Sequence, residues 1–314
     1  MTSVNYDFII VGGGSSGSAL ASKLAKKGPT LLIERGANHT AYPQSAVRQG
    51  SPQISSIGLE PIRIEGSGHW TGTANVLGGG SAINIGVCWR SEKELFEEVG
   101  FDAQTVEKSV QHLEDRVCLP SLPNEQVSEV NQAFIDAWKE NFEYFDSASG
   151  LASWASSDAD ATIQKSRTII TSTGQRRPAN YLFENADRDD DSGTEILNQG
   201  NLTVFLLTKV KRVLFNDKKD AIGVDVRSPA GDVPVYVRKG GKIFLNAGVY
   251  ETPKLLMLSG IGPPQVLSKH DIPVVFPNEA VGQNLIDRKE LIVALPLLKD
   301  LEGDDIPTHD VAIF

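Results

Sequence analysis

The sequence predicts an α/β protein: a Rossmann-type parallel-sheet unit with an antiparallel β meander inserted into it. Three observations predict this. An apolar run (Phe8, Ile9, Ile10, Val11) leads into Gly12-Gly13-Gly14-Ser15-Ser16-Gly17. A helical pattern (Ala19, Leu20, Leu24, Ala25) follows, and a second apolar run (Leu31, Leu32, Ile33) ends in Glu34. Between Leu202 and Leu245 the apolar period changes to two, the spacing of half-buried strands. At Lys242–Gly248 a buried-strand pattern again ends in glycine and feeds a helix.

The first observation reads as strand, tight turn, helix, strand. Gly12, Gly14 and Gly17 hold the positions that allow the turn, the close approach of a pyrophosphate and close helix–strand packing. The helix begins at Ser15 and Ser16, where backbone N–H groups and the positive dipole end face an anion. Glu34 falls where an acid accepts a hydrogen bond from a ribose hydroxyl. The alternative is a glycine-rich turn in some other βαβ unit, which does not require strand, helix and acid in this register.

After Glu34 the chain has few periodic apolar residues as far as His69, a stretch expected to be irregular. A second glycine turn follows, Val76-Leu77-Gly78-Gly79-Gly80-Ser81-Ala82-Ile83-Asn84. Three consecutive glycines suit backbone lying against a flat or anionic ligand. The interleaved apolar residues argue for packed backbone over a solvated surface loop. Val106, Val110, Leu113 and Val117 form one helical stripe, and Val127, Val130, Phe134 and Trp138 another; both are expected to face a core. Residues 143–165 read as a loop. Pro178 opens a short helix through Tyr181 and Leu182; Arg176 and Arg177 before it are placed to meet an anion, with solvated surface charges the commoner reading of such a pair.

The segments 202–207, 209–215, 222–227 and 233–238 alternate apolar with polar residues and predict the antiparallel meander. The strand at 242–247 is expected to return to the first sheet, with Thr252 capping the next helix, Pro253 in its first turn and Ser259-Gly260 ending it.

Composition excludes several classes. The 314 residues carry 30 basic and 40 acidic side chains, a net charge of −10 with the basic residues scattered. That argues against nucleic acid or an anionic membrane as partner. No apolar run approaches the roughly 18 residues of a transmembrane helix. The chain enters its first strand almost at once, leaving no room for a signal peptide, which fits a trimmed or mature chain equally, so the compartment stays open. Cys88 and Cys118 are far apart and lack a CxxC partner; one bridge is conceivable, but buried thiols are the simpler reading. The five histidines show no metal-ligand spacing.

Taken together, these motifs resemble the glucose–methanol–choline (GMC) flavin oxidoreductases, which hold FAD in a Rossmann-type domain. The likeness runs through the chain in the family's order: the fingerprint through Glu34-Arg35-Gly36, a first signature at Ala74–Asn84, a second at Gly248–Gly262, and Gly282–Asp287. Leu32–Gly36 and Arg90–Gly100 lean towards the plant hydroxynitrile-lyase-like branch. The resemblance implies that Ser15 and Ser16 meet the pyrophosphate, and Glu34 with Arg35 the adenosine ribose and adenine side. It places Val76 and Gly80 beside the flavin, with Gly79 in the same turn. Asn84, Ile85, Gly86 and Val87 then run along pyrophosphate and isoalloxazine, and the backbone of Val210 touches adenine. Ile83 stands where covalently flavinylated members carry histidine, which implies non-covalent FAD; His69 is an alternative tether more simply read as structural.

By the same likeness, residues 1–100 and 200–290 form a discontinuous FAD-binding domain, and 101–199 with 291–314 the start of an α+β substrate or cap domain. Val249 and Arg288 depart from the family pattern. The family's catalytic histidine and its His or Asn partner lie near the C-terminus of longer chains, and nothing after Asp287 supplies them. His309 sits in an acidic, poorly patterned tail and is not assigned catalysis. The catalytic residues are therefore unknown, and the chain looks like an N-terminal part: a fragment, a natural short form, or one half completed by a second polypeptide.

The implied chemistry is hydride transfer to flavin from a small-molecule CH–OH donor, an alcohol. Two rivals share the scaffold. One is an FAD-containing lyase or light-driven fatty-acid decarboxylase; the other is a non-catalytic flavin-binding remnant.

Overall fold

A computed structural model of the chain describes residues 5–39, 59–63, 70–84, 86–88, 93–119, 132, 136, 143–145, 162–164, 167–170, 176–183, 196–286 and 312–313. The chain divides into two compact units: Met1–Gly86 with Ser109–Leu119 and Ile169–Gly282, and Val87–Lys108 with Pro120–Thr168 and Gln283–Phe314.

The first unit is built on β1 (Tyr6–Val11), α1 (Ser15–Leu24) and β2 (Thr30–Ile33). It also contains the hairpin β3 (Leu59–Arg63) and β4 (Trp70–Ala74), and later β9 (Ile196–Gln199), β10 (Leu202–Phe205), β11 (Lys209–Phe215), β12 (Ala221–Ser228) and β13 (Gly231–Leu245). Seven of these form one sheet in the order β11-β12-β13-β1-β2-β10-β9. The centre is parallel: β13 with β1, β1 with β2, and β2 with β10. The flank β11-β12-β13 is antiparallel, as is β9 against β10.

Strands buried on both faces read as continuous apolar runs, and the alternation of their side chains fills two cores. Ile9, Val11, Leu31 and Ile33 point to one face, where Val213, Val224 and Leu255 close the cluster. Ile10 and Leu32 point to the other, against Ala21 and Leu24 of α1 and Leu77. Leu31 and Leu32 are each fully buried, and burying such a side chain stabilises by about 1.5–3 kcal/mol.

Several expectations change here. Residues 202–205 do not join the meander; they pair parallel with β2. Alternation fixes which face is buried, not the direction of the neighbour. The segments 233–238 and 242–245 are one strand, β13, whose first part closes the meander and whose last part lies beside β1. The stretch expected to be irregular contains β3, paired antiparallel with β4. Pro253 is not in the first turn of its helix: the helix starts at Gly248 and runs to Leu258 with Ala247 as N-cap, so Pro253 lies inside it. Ser259 and Gly260 end it as expected, Gly260 with φ +82°.

In the second unit, Glu143–Phe145, Thr162–Gln164 and Ala312–Ile313 make a three-stranded sheet, parallel between the first two and antiparallel to the third. The helix Ala103–Val117, whose residues from Ser109 onward belong to the first unit, buries Val106 and half-buries Val110, Leu113 and Val117 of its expected stripe. Asp102 opens that helix by accepting the Thr105 N–H at 2.7 Å. Of the second expected stripe, all four residues lie outside the described residues. No disulfide joins Cys88 and Cys118, both half-buried. No helix among the described residues is long and apolar enough to cross a membrane.

Candidate functional site

At the carboxyl ends of β1, β2 and β13 the first unit opens into a cleft of about 430 Å³. Open α/β sheets bind ligands at this edge. Three glycine-bearing segments line it: Gly12 and Gly14 of the fingerprint, Gly79 and Gly80 of the second turn, and Ala247-Gly248 after β13.

The fingerprint turn is forced into place by close backbone contacts. Gly12 takes φ +101°, and a Cβ there would lie 2.4 Å from the Asn246 carbonyl oxygen. A Cβ on Gly17 would lie 1.9 Å from the Gly12 carbonyl oxygen, so only glycine lets α1 sit this close. Ser18 donates through Oγ to the Gly13 carbonyl at 2.9 Å. The N-cap of α1 is Gly14, with no side-chain cap and no acidic residue in the first turn. The leading N–H groups, with Ser15 and Ser16 beside them on the cleft wall, are thus suited to receive an anion.

The second turn packs directly on the first. Gly78 donates its N–H to the Gly13 carbonyl at 2.8 Å, and a Cβ on Gly79 (φ +57°) would lie 2.5 Å from the Gly14 Cα. A Cβ on Gly80 or Gly248 would meet no protein atom within 4 Å. Backbone at these two points therefore faces the room of the cleft.

Glu34 closes one edge of the cleft and is 6 % exposed. Its Oε2 accepts the Gly13 N–H at 2.7 Å and its Oε1 the Gly36 N–H at 2.8 Å. Each oxygen keeps a second lone pair for a hydroxyl. Burial pushes the carboxyl above its ordinary 4.5, while the Gly36 and Gly13 N–H groups and the Arg35 charge pull the other way. Arg35 is held by Glu60, Thr73 and the Ala74 carbonyl, with Glu251 at 3.8 Å, which ties the β3–β4 hairpin to this edge.

Of the residues singled out from sequence, Gly12, Gly14, Ser15, Ser16, Glu34, Arg35, Gly79, Gly80 and Val210 line this one cleft. Gly17 stands behind it, under Gly12. Val76 is buried beneath the second turn and bridges to Ala37. Asn84 follows that turn, its Oδ1 accepting the Gly86 N–H at 3.0 Å, and Gly86 is buried against Ile170. Val87 belongs to the second unit, in a two-residue strand paired with Arg167-Thr168. Ile85 and His69 lie outside the described residues.

Thr73 and Thr208 also line the cleft wall, single residues with no motif to mark them, as does Asn246, inside the Lys242–Gly248 motif but not singled out in it. The sequence pattern also misled at one arginine: Arg176 is 5 % exposed rather than solvated. Its Nη1 donates to Asn84 Oδ1 at 2.9 Å and to the Ser81 carbonyl at 3.2 Å. Burial lowers Arg176 to about 10, so it keeps its charge at neutral pH. His39 meets the amide nitrogen of buried Asn180 through Nδ1 at 3.2 Å. Burial, with Arg176 beside it, lowers His39 to about 4.

With this geometry in hand, a family model described as GMC oxidoreductase matches residues 6–290. The chain belongs to the GMC oxidoreductase family. It is 31% identical over 296 residues to (R)-mandelonitrile lyase 1 of Prunus dulcis, covering 90% of this chain and 48% of the relative. It is 29% identical over 309 residues to the sinalpyl alcohol oxidase Nec3 of Nesocodon mauritianus, covering 93% and 51%. A crystal structure of formate oxidase superposes with a TM-score of 0.67 at 22% identity, covering 91% of this chain and 53% of that one. That last likeness carries the fold alone.

This GMC chain spans about half the length of the curated relatives it matches. Membership makes it a flavoprotein with FAD as cofactor. The cleft fits that group: uncapped N–H groups of α1 for a diphosphate, side-chain-free backbone at Gly80 and Gly248, and a buried carboxylate at one edge.

Proposed function

We propose that this chain is the FAD-holding part of an oxidoreductase acting on CH–OH donors, with FAD bound non-covalently in the cleft of the first unit. The convergence of three glycine-bearing segments and Glu34 on one cleft carries this reading. In it, Gly14, Ser15 and Ser16 receive the diphosphate at the start of α1. Glu34 takes a ribose hydroxyl, and Val210 lies along the adenine. Gly79 and Gly80 border the flavin, and Asn84 and Gly86 order the chain just behind. The regions 1–100 and 200–290 act as the FAD-binding domain, and 101–199 with 291–314 as part of a substrate domain.

The redox chemistry, uptake of a hydride from the carbon that bears the hydroxyl, would be supplied by FAD when bound. The chain's own share is to bind and orient the cofactor through neutral N–H donors. This reading assigns no residue of the chain as the base that takes the hydroxyl proton. A second polypeptide supplying it draws no support from the relatives, in which the matched segment is half of a single longer chain.

The test is direct. The purified chain should take up FAD, show a flavin spectrum and release the flavin on acid precipitation, as a non-covalent cofactor does. Joined to a relative's C-terminal half, it should bleach anaerobically with a member of an alcohol panel. A chain that stays colourless in saturating FAD sinks the reading. A second reading, a lyase on the same scaffold, is favoured by the 31% identity to a mandelonitrile lyase. Cyanide release from mandelonitrile without flavin bleaching would select it.

A further inference from the structure

We propose that Arg176 is a positioning residue for the cofactor. It fixes the second glycine turn against the fingerprint turn, and thereby sets how tightly FAD is held and how the flavin is seated. This rests on the placement of FAD proposed above and deepens it.

The second turn is clasped from two sides. On one side, Gly78 bonds to Gly13, and Gly79 touches Gly14 with no room for a Cβ. On the other, a Cβ on Gly78 would lie 2.7 Å from Asn180 Oδ1 and 2.8 Å from Pro178 Cβ. Ala179 donates its N–H to Ser81 Oγ at 2.8 Å, and Ser81 in turn donates to the Gly78 carbonyl at 2.6 Å. The segment 176–180 is therefore the outer jaw, and the fingerprint turn the inner one.

Arg176 is the charged element of the outer jaw. Burying a guanidinium is expensive unless its N–H groups reach acceptors in good geometry. Two of its acceptors lie on the clasped turn: the Ser81 carbonyl inside the short helix Gly80–Ile83, and Asn84 Oδ1 at the exit. Asn84 Oδ1 also accepts the Gly86 N–H, so one guanidinium nitrogen, Nη1, ties the helix, its exit and the next residues together. Gly80 and Ile83, within the span Arg176 holds, line the cleft. Arg176 itself does not line it, so its influence passes through the turn.

A residue that merely stabilised the fold would shift melting without selectively shifting affinity. The experiment titrates FAD into the purified apo-chain by flavin fluorescence, records visible circular dichroism of the bound flavin at saturation, and measures apo-protein melting. Arg176→Gln should raise the FAD Kd at least tenfold and alter the flavin dichroism, with Arg176→Lys intermediate. Ser81→Ala, which removes the Ala179 N–H acceptor, should raise it at least threefold and covers the case in which Arg176→Gln does not fold. Arg177→Gln is the control: its guanidinium stacks on Tyr181 at 5.2 Å, and FAD affinity should stay within twofold. Wild-type affinity and dichroism in the Arg176→Gln and Ser81→Ala variants would overturn the inference, as would equal weakening in Arg177→Gln. A wild-type chain that binds no FAD overturns the proposed function, and the inference with it.

Discussion

The two glycine turns of the cleft use the same residue type under different constraint. The fingerprint turn is hydrogen-bonded within its own βαβ unit, with the Asn246 backbone closing on Gly12 from far along the chain. Gly12 donates its N–H to the Ile33 carbonyl at 2.8 Å, Ser18 bonds to Gly13, and Glu34 bonds to Gly13 from the end of the next strand. The second turn has one wall in that unit and another borrowed from far along the chain. Its bonds to Arg176 and Ala179 span 95 and 98 residues. A locally bonded turn forms as the unit forms, whereas a turn bonded from a distance depends on tertiary closure. Mutations in the first should therefore read out mainly as stability, and mutations in the second mainly as cofactor affinity.

Alanine at Gly17 and at Gly79 gives the sharpest contrast. A Cβ on Gly17 meets the Gly12 carbonyl at 1.9 Å, with backbone on both sides that has nowhere to go. Gly17→Ala should destabilise the apo-protein by about 3 kcal/mol in urea denaturation. A Cβ on Gly79 meets the Gly14 Cα at 2.5 Å at a positive φ, and the less locally fixed turn can swing away. Gly79→Ala should therefore lower apo stability less than Gly17→Ala while abolishing measurable FAD binding. Equal losses of stability would break the distinction.

Glu34→Gln probes the point where the fingerprint turn is tied to the end of β2. The carboxylate accepts from Gly13 and Gly36; an amide of the same shape satisfies one of them and turns an NH2 group on the other. One buried N–H left without an acceptor costs about 2 kcal/mol, measurable as a lower urea midpoint at unchanged slope. An unchanged midpoint would mean that the turn is not anchored there.

The same contrast explains what was legible in the sequence. The fingerprint, its helix and its acid were readable because the physics acts within about thirty residues: alternating burial in β1 and β2, a turn that needs glycine, and a helix that begins at Gly14. Arg176 was not readable as a buried group. Nothing in Gly174-Gln175-Arg176-Arg177-Pro178 distinguishes the arginine that turns inward from the one that stacks on Tyr181. The acceptors that make burial tolerable lie at Ser81 and Asn84. Likewise Leu202–Phe205 showed strand periodicity, but its parallel partner β2 is set by chain closure, not by its own residues. Thr208 joins the cleft because its N–H bonds to the Glu34 carbonyl at 3.0 Å, a link with no local signature.

The outer jaw also carries a titration. His39 is lowered to about 4 from 6.5 by burial and by Arg176. The unfolded chain therefore binds a proton that the folded chain refuses between those values, and stability falls as pH drops through that window. At pH 5.5 the loss attributable to His39 is on the order of 1.5 kcal/mol. His39→Gln should flatten the pH dependence of apo-protein melting between pH 6.5 and 4 while leaving melting at pH 8 little changed. An unaltered slope would remove His39 from the account.

The smallest expected effect separates the two readouts most cleanly. Gly80 sits at the start of the short helix Gly80–Ile83, and a Cβ there meets no protein atom within 4 Å. Alanine in helical conformation relieves the entropy that glycine loses on folding, so Gly80→Ala should leave the apo-protein unchanged or more stable by about 0.5–1 kcal/mol. Yet Gly80 lines the cleft, and a methyl group pointing into that room meets whatever the cleft holds. If FAD lies along the second turn as proposed, Gly80→Ala must weaken FAD binding while stabilising the apo-chain, two effects of opposite sign from one methyl group. No purely structural role for the turn produces that pair. Full FAD affinity in a stabilised Gly80→Ala chain would move the cofactor off Gly80, leaving the fingerprint turn and Gly248 as glycine contacts to test.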